Sequence, residues 1–215
     1  NLIALKYAQY LNSIVFSFDY RTAPENPFPA ALIDAYEGYN YLLQKYPNKN
    51  IVIAGDSAGG GLAVALTLYL KDNKQQLPEC LILASPWVDL TATGDSYIDN
   101  YLTDPFFGTY DINNKNKYPV PLMYTEENNL TNPYVSPIYG DLSNMPPMLI
   151  QTGGKEVLLS DSITLYKKAF STQILTRLII FPNMYHTFYV VTPHISESQI
   201  AWQNIEDFYQ TLNKK

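Results

Sequence analysis

Three residue types along this chain, a serine, a carboxylate and a histidine, occur in an order that could carry nucleophilic catalysis. The serine is Ser57, in Gly55-Asp56-Ser57-Ala58-Gly59. A serine hydroxyl is a weak nucleophile at neutral pH and needs a base to take its proton and an acid to orient that base. The pattern G-x-S-x-G, placed between an apolar run (IVIA, 51–54) and a second apolar run (58–71), is a nucleophile elbow. Gly55 and Gly59 are expected to remove Cβ atoms that would collide across so tight a turn. The serine is expected to sit in a strained conformation with its hydroxyl pointing outward. The helix opening at Ala58 would aim backbone N–H groups at the same place, so the Ala58 amide is a candidate oxyanion donor. A phosphate-cradling loop is the competing reading. It would want a lysine directly after the glycines, and none follows before Lys71.

Acid and base follow the serine in that order in sheets built around such an elbow. There are two histidines, His186 and His194. His186 lies just beyond an apolar run (RLIIF, 177–181), where a loop can return it over the serine, and is the favoured base. His194 precedes the closing helix and reads better as structural. Two carboxylates compete for the orienting role in QTGGKEVLLSDS. Glu156 falls in a loop, whereas Asp161 falls at a helix start, where it could cap exposed amides. Glu156 is preferred and Asp161 stays open.

The elements that must position these groups can be read from hydrophobic period. Strands are expected at 14–19, 51–54, 81–85, 148–151 and 177–181. Helices are expected at 29–46, about 58–71, near 161–170 and near 196–212. Short continuous apolar strands alternating with helices indicate an α/β fold, a mostly parallel sheet covered on both faces, in a single domain over 1–215. In such a sheet, chemistry gathers at the carboxyl ends of the strands. Residues 91–147, rich in Asn, Tyr and Pro, break the rhythm and read as an insertion that caps or binds, with Phe106 and Phe107 partly buried in it.

Bulk properties narrow the partners. With 215 residues, 47% hydrophobic and 16% charged, the chain can bury a sizeable core. A net charge of −6 with only two arginines, Arg21 and Arg177, disfavours nucleic acid. The lone Cys80 excludes a disulfide framework and reads as a buried small hydrophobe. No apolar run suggests a membrane span, no signal peptide is visible, and a cytoplasmic location is the default.

Taken together, several blocks resemble the hormone-sensitive-lipase-like (type IV) esterases of the α/β hydrolases. These are DYRTAPENPFPAA (19–31), GDSAGGGLA (55–63), SPWVDL (85–90), NPYVSPIYGDLSNMPPMLIQTG (132–153), EVLLSDS (156–162) and MYHTF (184–188), in family order. The resemblance implies the α/β-hydrolase fold and a serine carboxylesterase acting on short acyl esters. It implies Ser57 as nucleophile, Glu156 as acid where most members carry aspartate, and His186 as base. It gives Arg21 and Glu25 no catalytic role and places Leu158 among residues that line the acyl pocket. It implies a small-molecule ester as substrate and no metal or organic cofactor, with a homodimer as a possible assembly. The alternative is a small-ligand-binding or inactive member of the same fold. Members carry an HGGG block upstream of the DYR segment, which supplies part of the oxyanion hole, and no such block occurs here. The chain is therefore expected to begin after that block, to lack the first strands, and to be a poor enzyme by itself.

Overall fold

Four apolar runs become strands in the computed structural model, which describes residues 2–108 and 122–214. They are β1 (Val52–Asp56), β2 (Cys80–Ala84), β3 (Met148–Gly153) and β4 (Thr176–Phe181). They form one sheet in the order β1-β2-β3-β4, every pair parallel. All residues of β2 and β3 are buried, whereas β1 and β4 are partly exposed. Central strands of a parallel sheet lose solvent on both faces, which is why LILA in β2 and MLI in β3 are continuous apolar runs and do not alternate, with Gln151 and Thr152 buried where β3 ends.

Around this sheet lie α2 (Ala30–Lys45), α3 (Ala58–Asp72) and α5 (Leu159–Ser171), with the short α4 (Ser96–Asp99) in the expected insertion. Two cores flank the strands. Val64 and Leu68 of α3 and Leu165 and Ala169 of α5 pack with Leu81, Leu83, Met148 and Ile150. Leu32, Ala35 and Tyr39 of α2 pack with Leu66 and Leu70. Cys80 is buried on β2, and burial pushes its thiol up to about 12. The insertion is not irregular throughout. Besides α4 it holds single 3-10 turns at Glu127–Asn129 and Pro137–Tyr139. Residues 109–121, which carry most of its Asn- and Tyr-rich stretch, lie outside the described residues.

The described residues gather into two compact units, Tyr20–His186 and residues 1–19 with 187–215. The first holds the sheet. In the second, α1 (Leu2–Leu11), the short α6 (Phe188–Val191) and α7 (Ser196–Asn213) meet around Trp202. The Trp202 ring lies 5.0 Å from Tyr7, 5.8 Å from Tyr10 and 5.3 Å from Tyr189. Aromatic edges and faces arranged this way add to plain area burial.

The strand expected at 14–19 does not form. Its alternation supplies the side-chain pattern of a strand, but a strand also needs a neighbour to accept its ladder of hydrogen bonds. The described sheet consists of β1 to β4, and residues 14–19 are not a strand of it. Ile14, Phe16 and Phe18 are 83%, 44% and 39% exposed, and the two phenylalanine rings stack on each other at 5.6 Å. Among the described residues no helix is long and apolar enough to cross a membrane.

Candidate active site

The serine, the preferred acid and the preferred base each follow the carboxyl end of a strand: Ser57 follows β1, Glu156 follows β3 and His186 follows β4, with Ser85 after β2 between them. The parallel order of the strands therefore sets these groups side by side along one edge of the sheet.

Ser57 has φ 54° and ψ −123°, a left-handed backbone that a serine adopts only under constraint. The constraint is visible in three bonds. Its N–H donates to Ala84 O at 2.9 Å, and its carbonyl accepts from Trp87 N at 2.9 Å and Gly61 N at 3.1 Å. Gly55 is required by the turn, since a Cβ there would meet Gly59 O at 2.3 Å. The companion expectation for Gly59 is corrected. A Cβ at Gly59 would find only Tyr20 Oη, at 3.9 Å, an ordinary contact. The crowding falls on the backbone of residue 59, not on its side-chain position. Ala58 opens α3, so its N–H has no acceptor within the helix and is available to a negative oxygen.

Glu156 and His186 are brought together. His186 Nδ1 lies 2.6 Å from Glu156 Oε2, with Glu156 fully buried and His186 nearly so. Were the carboxylate ionised, it could only accept, so Nδ1 would carry the proton and Nε2 would be left able to take another. The loops bearing the two residues touch at Gly153, where a Cβ would stand 2.4 Å from Met184 O. Gly154 N to Phe181 O (2.8 Å) and Lys155 N to Met184 O (3.0 Å) tie the same loops. The other carboxylate oxygen, Oε1, accepts from Ser85 Oγ at 2.7 Å, Gly153 N at 2.6 Å and Thr152 Oγ1. Among the described residues no hydrogen bond joins the Ser57 hydroxyl to His186. Such bonds are commonly long in unliganded sites. His194, by contrast, is exposed in the turn before α7.

Asp161 does not cap its own helix, as had been expected from its place near a helix start. It sits in the first turn of α5, buried, but its Oδ2 accepts from Val88 N (2.9 Å) and Asp89 N (2.8 Å) of the loop after β2. Burial, aided by the charge of Asp89, pushes its carboxyl up to about 8 against the pull of those two amides. An unfolded aspartate ionises near pH 4, so between there and about pH 8 the folded chain keeps a proton that the unfolded chain has lost. Stability should fall as pH rises through that window. Asp161→Asn stays uncharged throughout, so the decline in Tm from about pH 5 to about pH 8 should flatten in this variant. An undiminished slope would mean that Asp161 is ionised over the whole range.

Leu158 is fully buried, clustered with Tyr97, Tyr101 and Val157, with Trp87 and Phe107 packed against them. Phe107 meets the His186 ring edge-to-face at 4.8 Å, and Phe106 lies at 6.4 Å. Asp104 fixes this arrangement. Its Oδ1 accepts from Phe106 N and Phe107 N, while Oδ2 accepts from Val157 N beside the buried glutamate. Asn100 Nδ2 donates to Gly154 O and Glu156 O. Two cavities, of about 560 Å³ beside Phe28 and Tyr124 and about 360 Å³ beside Asp89 and Asp161, are not lined by Ser57 or His186. Arg21 pairs with Asp34 through Nε and Nη2, a surface fork in the DYR segment. Among the described residues no group of three His, Cys, Asp or Glu could hold a metal.

Sequence reasoning did not find Ser85, Thr152, Asp104 or Asn100. One signal pointed to Ser85, its place directly after a buried strand that neighbours the one leading to Ser57. Asp104 and Asn100 belong to the insertion, which has no periodicity to orient them.

A family model described as the α/β-hydrolase fold matches residues 2–190. An esterase of Acinetobacter venetianus is 34% identical over 200 residues, covering 93% of this chain and 65% of the relative. An acetyl-hydrolase of Streptomyces hygroscopicus is 34% identical over 198 residues, covering 92% and 64%. The chain thus spans just under two thirds of the length of these curated relatives. A crystal structure of an esterase from the bacterial hormone-sensitive lipase family matches with a TM-score of 0.85 at 33% identity, covering 96% of this chain and 68% of that one. With the strand order, the constrained serine turn and these likenesses in agreement, the chain belongs to the α/β-hydrolase fold family and, within it, to the hormone-sensitive-lipase-like branch.

Proposed function

We propose that the protein is a serine carboxylesterase for short acyl esters. The observation that carries this reading is the buried Glu156–His186 pair at 2.6 Å, set on the same sheet edge as the strained Ser57 turn. Ser57 Oγ attacks the ester carbonyl as His186 Nε2 takes its proton, and Glu156 holds the imidazole and offsets its charge. The Ala58 N–H donates to the oxyanion. The protonated imidazole passes its proton to the departing alkoxide. Water, deprotonated by the same nitrogen, then releases the acid. The relatives named esterase and acetyl-hydrolase support ester substrates with small acyl groups.

Phe107 packs edge-to-face on His186 at 4.8 Å, whereas Phe106 beside it is 49% exposed and not partly buried as expected, so the apolar surface this pair offers an acyl group is small. Each methylene that finds apolar surface is worth about 0.8 kcal/mol, roughly fourfold in kcat/KM, and adds nothing once that surface ends. Over a series of p-nitrophenyl esters, kcat/KM should therefore peak among acyl chains of roughly two to six carbons and fall well before twelve. A steady rise to sixteen carbons would make the protein a long-chain lipase and overturn the short-acyl assignment.

A further inference from the structure

Glu156 differs from an ordinary surface-fed carboxylate in where its donors come from. Its side chain has no exposure, so its charge must be met by groups supplied by the fold. Oε2 is taken by His186. Oε1 receives three donors from two different strand ends, Ser85 Oγ after β2 and Thr152 Oγ1 with Gly153 N from β3. Ser85 is fully packed and its backbone is turned to φ 45°, in the left-handed region, while its N–H donates to Gln151 O at 2.8 Å. A serine held in that conformation costs stability, and what the turn achieves is to aim Oγ across the strand gap at Oε1.

We propose that Ser85 and Thr152 are positioning residues for the reaction assigned above, on which this inference rests, acting through Glu156. Glutamate has one more rotatable bond than aspartate, so an unsupported glutamate could rotate its carboxylate away from the imidazole. Three donors on Oε1 remove that freedom. They fix the carboxylate plane and leave Oε2 as the oxygen presented to His186 Nδ1. Charge-assisted bonds to a buried carboxylate are short and strong, and here they are all spent on the oxygen that does not touch the base. Neither hydroxyl needs to meet substrate, and both side chains are buried.

The test measures p-nitrophenyl butyrate hydrolysis, thermal unfolding and the far-downfield Nδ1–H proton resonance of His186. The variants are Ser85→Ala, Thr152→Val and the hydroxyl-retaining Thr152→Ser. Groups that orient the ligands of a metal are worth about 10- to 100-fold, and hydroxyls that orient Glu156 should act on a similar scale. Ser85→Ala and Thr152→Val should each lower kcat by about that factor with KM little changed, and should shift or broaden the resonance. Thr152→Ser should restore both. Combined with Glu156→Gln, neither should lower kcat further by more than about twofold, since groups acting through one residue are not additive. Unchanged kcat and an unchanged resonance in folded variants would overturn the proposal, as would losses that multiply fully onto Glu156→Gln. Should the unaltered protein fail to hydrolyse esters, or Ser57→Ala retain activity, the assigned reaction falls. The resonance then still decides whether Ser85 and Thr152 hold the Glu156–His186 pair. If Ser85→Ala does not fold, the Thr152→Val and Thr152→Ser pair carries the comparison alone.

Discussion

Replacing Ser57 or His186 by alanine should each remove nearly all ester hydrolysis, by about 10⁴-fold or more in kcat, and the double variant should be little worse than either. In the proposed reaction, the reason is the division of labour at the sheet edge. Without Oγ there is no acyl-enzyme, and a base at His186 has nothing productive to deprotonate. Without the imidazole, the hydroxyl keeps its proton and is no better than a free serine. What survives is the contribution of binding and of amides such as that of Ala58, which is common to both variants. The measurement is steady-state hydrolysis of p-nitrophenyl butyrate alongside thermal unfolding. Ser57→Ala carries a further expectation. A left-handed alanine is no easier than a left-handed serine, so the turn should keep its strain and Tm should change little. Losses that multiply in the double variant would mean that the two residues do not act on one step.

The same turn shows how sequence specifies structure unevenly. Gly-Asp-Ser-Ala-Gly was legible because a strand, a tight turn and a helix start each leave their own residue signal, and all three coincide within a few positions. The strands were legible for a similar reason, since burial on both faces favours apolar runs such as CLILA in β2 and MLI at the start of β3. Residues 14–19 carry an equally convincing alternation and yet form no strand, because pairing is a property of the neighbour as much as of the segment. The opposite error occurs at α1. LIALKYAQYL carries no sequence signal read as an element, but it forms a ten-residue helix whose Tyr7 and Tyr10 meet Trp202 of α7. Tertiary contact supplies what local signals omit.

At the site, the limit is of another kind. Glu156 could be preferred over Asp161 from sequence because a loop residue is free to turn toward a base. The actual task of Asp161 could not be read. Its partners are amides 72 and 73 residues earlier, brought there by the packing of α5 against the loop after β2. Ser85 and Thr152 are further cases. A buried hydroxyl at a strand end is unremarkable in a sequence until the carboxylate it faces has a position.

Glu156→Gln should lower kcat by about 10⁴-fold while leaving the fold standing, and the seat around Oε1 explains why so small a change is so damaging. Glutamine has the size of glutamate but only one acceptor oxygen. Ser85 Oγ, Thr152 Oγ1 and Gly153 N all donate to the Oε1 position, so the amide oxygen must occupy it. That forces the NH₂ group into the place of Oε2, 2.6 Å from His186 Nδ1 in the native pair. Two donors cannot face each other there. The imidazole must present a lone pair at Nδ1 and move its proton to Nε2, the atom that in the proposed reaction accepts from Ser57, so the base is lost through the wrong tautomer and not through a broken fold. Tm should fall only modestly, since every donor of the seat stays satisfied. Asp161→Asn is the matched control. It alters a carboxylate only five residues away whose partners are Val88 and Asp89, so kcat should stay within a few-fold of the unaltered protein. If instead Asp161→Asn abolished turnover while Glu156→Gln left it intact, the orienting carboxylate would be Asp161, and the close Glu156–His186 pair would be structural.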